Sequence, residues 1–171
     1  MVLKKTIPLL IGFFICYIIP IYGYAHDKVP EKLQAALFVK ILSMSKDINN
    51  GKNLTIYVVN SPDQAMEFKK AEGRMIGKSM LVSVQEGDGL PNDLPSVMYI
   101  GNTYRVEELI QYCRSKQILS ITGNPELVEK GVTLGLCMNE DRPLILLNIT
   151  SKKKKKITWH PTLLKLSKIY K

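Results

Sequence analysis

Two histidines, three cysteines and a block of lysines are the residues of this 171-residue chain whose types invite chemistry. His26 directly follows Gly23-Tyr24-Ala25, so cleavage after Ala25 would leave it N-terminal, with an imidazole and a free amine that suit copper. Copper held that way needs a second imidazole, and His160 is the only other one. His160 stands between Trp159 and Pro161, a setting that favours a structural role, so no metal and no cofactor is expected. Cys16 lies in the apolar leader, leaving Cys113 and Cys137. A nucleophilic cysteine needs a neighbouring base, and nothing in the spacing brings His160 to either thiol. Cys113 shares an apolar helical stripe with Val106, Leu109 and Ile110, and Cys137 alternates with Thr133 and Gly135 on the less bulky face of a strand. Buried thiols are often inert packing groups. In an oxidising compartment an even pair tends to bond. Cys113 and Cys137 are therefore expected to form the only disulfide, with two buried free thiols as the alternative. No C-x-x-C spacing points to zinc or to a thioredoxin-like centre.

Lys152, Lys153, Lys154, Lys155 and Lys156 are consecutive, and Lys165, Lys168 and Lys171 follow. A like-charged block is usually a solvated face; its sharper use is to steer an acidic partner or an anionic surface. Nucleic acid is not expected, because an exported chain rarely meets it and the aromatic stacking platforms of such sites are missing near the run. Gly73, Gly77 and Gly123-Asn124 hint at phosphate loops only weakly, since neither G-x-G-x-x-G nor a Walker A pattern occurs. Glu107 and Glu108 fall on the polar side of a helix, and the sequons at Asn53 and Asn148 adjoin or occupy strands. No acid, base and nucleophile can be assembled, so no enzyme is expected.

These residues need a scaffold, and the chain begins with an address. Lys4 and Lys5 precede an uncharged run from Ile7 to Ile21 that ends in small residues. Charged start, apolar middle and small-residue cut describe a secretory signal peptide, and the run is shorter than the roughly 20 residues of a spanning helix. Residues 1–25 are expected to be removed and the remainder to work in the periplasm. Loss of 25 from 171 residues leaves 146, and loss of Lys4 and Lys5 takes the net charge from +9 to +7. That length suits one domain over residues 26–171.

Periodicity then divides the chain into alternating elements. A helix is expected from Val29 to about Lys46, with Leu33, Ala36, Leu37, Ile41 and Met44 as its apolar face. Leu54–Val59 is a buried strand, and Ser61-Pro62 opens a helix running to about Glu72. Strands follow at about Ile76–Gln85 and at Val97–Ile100, and a helix at about Tyr104–Ser115. Ile118–Thr122 is a strand, Asn124 caps a short helix closed by Gly131, and Val132–Met138 and Leu144–Ile149 form a hairpin. A last helix is expected from Thr162 to the end, with Leu163, Leu166 and Ile169 facing inward. The fold class is α/β: a mainly parallel sheet with helices on both faces, a C-terminal antiparallel hairpin and a terminal helix. Its core strands place Val58, Ile100 and Ile121 inside.

Gln34-Ala35-Ala36-Leu37-Phe38, Ile118-Leu119-Ser120-Ile121-Thr122-Gly123, Val128-Glu129-Lys130-Gly131-Val132-Thr133-Leu134 and the closing Leu163–Ile169 together resemble the YfiR family. Asn148 falls where that family's penultimate strand ends in Asn. Ser45-Lys46-Asp47-Ile48 replaces the family's aromatic-Pro pair, Gly131 stands alone where Gly-Gly is usual, and the lysine run replaces a small-residue helix start. The resemblance implies a periplasmic regulator that binds the periplasmic part of a membrane signalling protein, such as a diguanylate cyclase, and restrains it. It gives no position a partner-binding role and leaves a homodimer open. The competing class is a small-ligand sensor or carrier, with its site at the carboxyl ends of the strands, where open α/β sheets bind ligands.

Overall fold

A computed structural model describes residues 28–150 and 158–171 of the chain. The expected signal peptide, His26 and Lys152 to Lys156 lie outside the described residues. Among the described residues thirteen elements follow one another: α1 (Glu31–Ser43), β1 (Leu54–Val59), α2 (Pro62–Lys69), β2 (Met75–Ile76), β3 (Ser79–Gly87), β4 (Val97–Ile100), α3 (Val106–Lys116), β5 (Leu119–Thr122), α4 (Pro125–Lys130), β6 (Leu134–Asn139), β7 (Arg142–Asn148), α5 (Pro161–Leu166) and β8 (Ser167–Tyr170). The strands form one sheet in the order β2-β3-β1-β4-β5-β6-β7-β8. β3, β1, β4, β5 and β6 run parallel, β7 turns back antiparallel on β6, and β8 runs parallel to β7. The mainly parallel α/β sheet with its antiparallel hairpin is thus the fold class that the sequence indicates.

Strand alternation divides the core between the two faces. Leu54, Ile56, Val58, Val97, Tyr99, Ile121, Leu134, Leu136 and Leu147 pack under α1, α2 and Leu163 of α5. Tyr57, Val59, Met98 and Ile100 pack under α3 and α4. Val58, Ile100 and Ile121 are all fully buried. The central strands β4 and β5 are buried at every position, as expected of parallel strands covered on both sides.

Three local expectations change. The inner face of α1 is Gln34, Ala35, Phe38, Ile41 and Leu42, while Leu33 and Ala36 face outward. Phe38 sets that rotation, because its ring meets Tyr99 edge-on at 6.1 Å and Phe68 at 6.2 Å. The strand expected over 76–85 is a hairpin, in which Ile76 pairs with Ser79 across Gly77 at φ 66°. A left-handed position suits glycine, and Asn49 Oδ1 accepts the following Lys78 N–H at 2.5 Å. The terminal helix stops at Leu166, and residues 167–170 add a strand instead. Leu163 is 1 % exposed, but Leu166 and Ile169 are 63 % and 40 % exposed. The open side of β7 offers backbone partners that a lone helical turn cannot match, and Ile169-Tyr170 has the β-branched and aromatic character of a strand.

Candidate functional site

The strand order reverses beside β1: the chain goes from β1 to β3 on one side, then crosses to β4 on the other. In an open α/β sheet the carboxyl ends at such a point form the ligand crevice. Here the protein's own groups fill it. Gly101 N–H donates to Val59 C=O at 2.9 Å. A Cβ at Gly101 would stand 2.6 Å from the Val59 and Asn60 carbonyls, so only glycine fits this approach. Next to it α1 lowers Gln34 onto Gly123, where a Cβ would collide with the amide. Gln34 is fully buried; its Nε2 donates to Val29 C=O at 2.7 Å and its Oε1 accepts the Tyr99 hydroxyl at 3.1 Å. Burial pushes the Tyr99 phenol up to about 12; Glu31 adds to the rise, and the Gly123 N–H and Ser61 hydroxyl oppose it. These groups are engaged in holding α1 to β4 and β5. Sequence reasoning missed Gln34, although its spacing from Phe38 and Ile41 places it on the helix's buried stripe.

The structure does not bring the two cysteines together; both are free and buried. Cys113 Sγ lies 3.5 Å from Met98 Sδ under α3, whereas Cys137 packs with Val128 and Leu146. Met98 is level with Ser120, and Ile121 is level with Leu134, so Ser120 is level with Thr133. Cys137 is then two strands across and four residues along from Met98. With strands about 4.8 Å apart and about 3.3 Å per residue, Met98, against which Cys113 rests, lies on the order of 16 Å from Cys137, whereas a disulfide joins Cα atoms within roughly 7 Å. The expectation that they pair is corrected by this register, which the strand pattern alone did not contain. Burial pushes the Cys113 thiol up to about 12 and also raises Cys137, against a lowering by Lys168. Neither has the lowered pKa of a reactive thiol.

The remaining singled-out residues have structural partners. His160 Nδ1 accepts the Thr162 N–H at 3.3 Å and caps α5. Asn148 closes β7 with its Nδ2 donating to Val128 C=O at 2.6 Å, tying β7 to α4. Asn124 Oδ1 accepts the Glu126 N–H at 3.0 Å and caps α4, as its sequence predicts. Gly73 and Gly77 are turn residues at positive φ. The segment Ser45-Lys46-Asp47 holds the C-terminal part of the chain: Ser45 bridges Trp159, and Asp47 Oδ2 accepts the Thr158 N–H at 2.7 Å. Thr150 and Thr158, which flank the lysine run, are both exposed.

A hollow of about 110 Å³ lined by Thr55, Tyr57, Gln85 and Leu94 is small beside the roughly 300 Å³ at which small-molecule pockets begin. Exposed apolar side chains stand at both ends of the sheet: Met75, Met80 and Val82 on β2 and β3, and at the C-terminal edge Ile149, Leu164, Leu166 and Ile169, the latter among Lys165, Lys168 and Lys171. An exposed apolar group rimmed by charge is the chemistry of a protein-contacting surface. Among the described residues, no group of three or more His, Cys, Asp or Glu side chains is placed to hold a metal ion.

The model of the YfiR/HmsC-like family matches residues 31–168, from the start of α1 into β8. The chain belongs to the YfiR/HmsC-like family. That assignment supports a periplasmic regulator of cyclic di-GMP signalling in general, from a family that is regulatory and acts with membrane signalling proteins. No curated protein matches the chain. Among the described residues, no helix is long and apolar enough to cross a membrane.

Proposed function

We propose that this YfiR/HmsC-like protein is exported by cleavage after Ala25 and works as a non-enzymatic regulator. It binds the periplasmic part of a membrane signalling protein, a diguanylate cyclase or related sensor, and restrains it. Family membership over residues 31–168 carries the reading. The site geometry supports it: the strand-end crevice is filled by Gln34, Tyr99 and the close approach at Gly101, and both thiols are buried. The small-ligand alternative draws no comparable support, because the polar groups at the strand ends bond to one another. The test is capture from solubilised membranes by the exported form of the protein. A membrane protein with a periplasmic segment is expected on the resin, and a cyclase so captured should lose activity. Retention of no membrane protein in either oxidising or reducing buffer, with a small molecule co-purifying instead, overturns the reading.

A further inference from the structure

β8 ends the sheet, and no described strand pairs with its outer side. The Ile149 N–H donates to Tyr170 C=O at 3.0 Å, and the register sets Lys168 beside Leu146 and Tyr170 beside Asn148. In a strand the N–H and C=O of one residue point to the same side, and successive residues alternate. Lys168 and Tyr170 therefore give their backbone groups to β7, and Ile169 aims its own outward. At the opposite end of the sheet β2 pairs only with Ser79 and Met80 of β3, and beyond it the chain's own groups engage that edge: Gly73 and Arg74 bond the Leu81 backbone, and Glu72 Oε1 accepts the Val84 N–H at 2.6 Å.

Charge selects what this edge accepts. Lys165, Lys168 and Lys171 are all exposed, and Lys168 Nζ lies 5.2 Å from the centre of the Tyr170 ring. No Asp or Glu occurs from Arg142 to Lys171, and the nine basic residues of that stretch equal the whole net charge of +9. The rest of the chain is balanced. Edge lysines keep identical strands from pairing, so a second copy meets its own charge here. An acidic segment meets the opposite one. Ile169 and Leu166 add exposed apolar surface beside the lysines.

We propose that the outer edge of β8 takes one further strand: an extended segment of the signalling partner in which acidic and apolar residues alternate. Backbone hydrogen bonds to Ile169 would hold the segment, and the lysines would select it, as in other strand-addition complexes. The inference rests on the regulatory reading above and gives its partner a chemistry.

The test pans a random octapeptide display library against the exported form of the protein. Enriched peptides should carry an acidic excess with alternating apolar residues. Their affinity should fall at least tenfold in Ile169→Pro, which removes the outward N–H without touching a bond to β7, and persist in Ile169→Val. If Ile169→Pro fails to fold, the charge reversal Lys165→Glu, Lys168→Glu, Lys171→Glu serves in its place and should enrich basic peptides. Peptides without acidic excess, or affinity indifferent to both variants, overturn the inference. So does a dimer in sedimentation that Ile169→Pro dissolves, which would seat a second copy on the edge. Binding to phosphatidylglycerol vesicles that displaces the peptides without regard to residue 169 would assign the basic surface to lipid. Membrane-protein capture that survives Ile169→Pro would remove this inference and leave the regulatory reading standing.

Discussion

Tyr99 and Cys113 are single buried groups whose environment makes a measurable pH dependence. Burial lifts both above their ordinary values of 10.0 and 9.0, to about 12. The unfolded chain releases these protons earlier, so the native state holds more of them above pH 9. Stability is therefore full below about pH 9 and falls as pH rises toward 12. The Cys113 share amounts to roughly 4 kcal/mol over that window, as an upper figure. Urea unfolding at stepped pH should show the fall, and Cys113→Ala should flatten it. Tyr99→Phe has a second effect at neutral pH. It strips Gln34 Oε1 of its donor in a buried site, which costs about 1–3 kcal/mol. Equal unfolding midpoints for Tyr99→Phe and the parent would show that the pair does not hold α1. Because the thiols are far apart, reduction should leave the melting temperature unchanged; a drop on adding reductant would contradict the register between β4 and β6.

At the scale of elements, the central strands are decided by packing on both faces. Ile121 is fully buried between β4 and β6. Ile121→Asp should abolish cooperative melting, since an unpaired buried carboxylate costs several kcal/mol, on the order of the whole net stability. An unshifted melting curve would show that β5 is misplaced. The junction of β1 and β4 is more sensitive to size than to polarity. Gly101→Ala forces a Cβ against the Val59 and Asn60 carbonyls and should cost about 1–3 kcal/mol in chemical denaturation. These elements were legible where one signal dominated: Val97–Ile100 was placed to the residue, and Asn124 and Gly131 mark both ends of α4. They were less legible where two readings share a spacing. Leu163, Leu166 and Ile169 recur at helical intervals, but only Leu163 is buried, because the sheet edge takes up the rest.

For the whole molecule, the uneven charge is the property that acts at a distance. Changing Lys152 to Lys156 to Gln should slow association with the captured membrane protein and weaken its salt dependence, with stability nearly unchanged. An unaltered association rate would return the run to a solvated face and leave the regulatory reading intact. Export is tested separately: mass spectrometry of periplasmic protein should find His26 first, and intact Met1 in the membrane fraction would favour an anchor.

Local chemistry was enough to determine the alternation of strands and helices, the hairpin near the C-terminus and the family resemblance, because each rests on neighbours a few residues apart. Three matters needed the tertiary structure. The distance between Cys113 and Cys137 depends on strand order and register, which no periodicity records. The face α1 buries depends on Phe38 finding Tyr99 and Phe68, residues 61 and 30 positions away in the chain. The end of the chain became a strand because β7 presented an open edge to it. Hydrogen-bond partners far apart in sequence, and not local propensity, decided that last element, and with it the exposed edge that the protein offers to a partner.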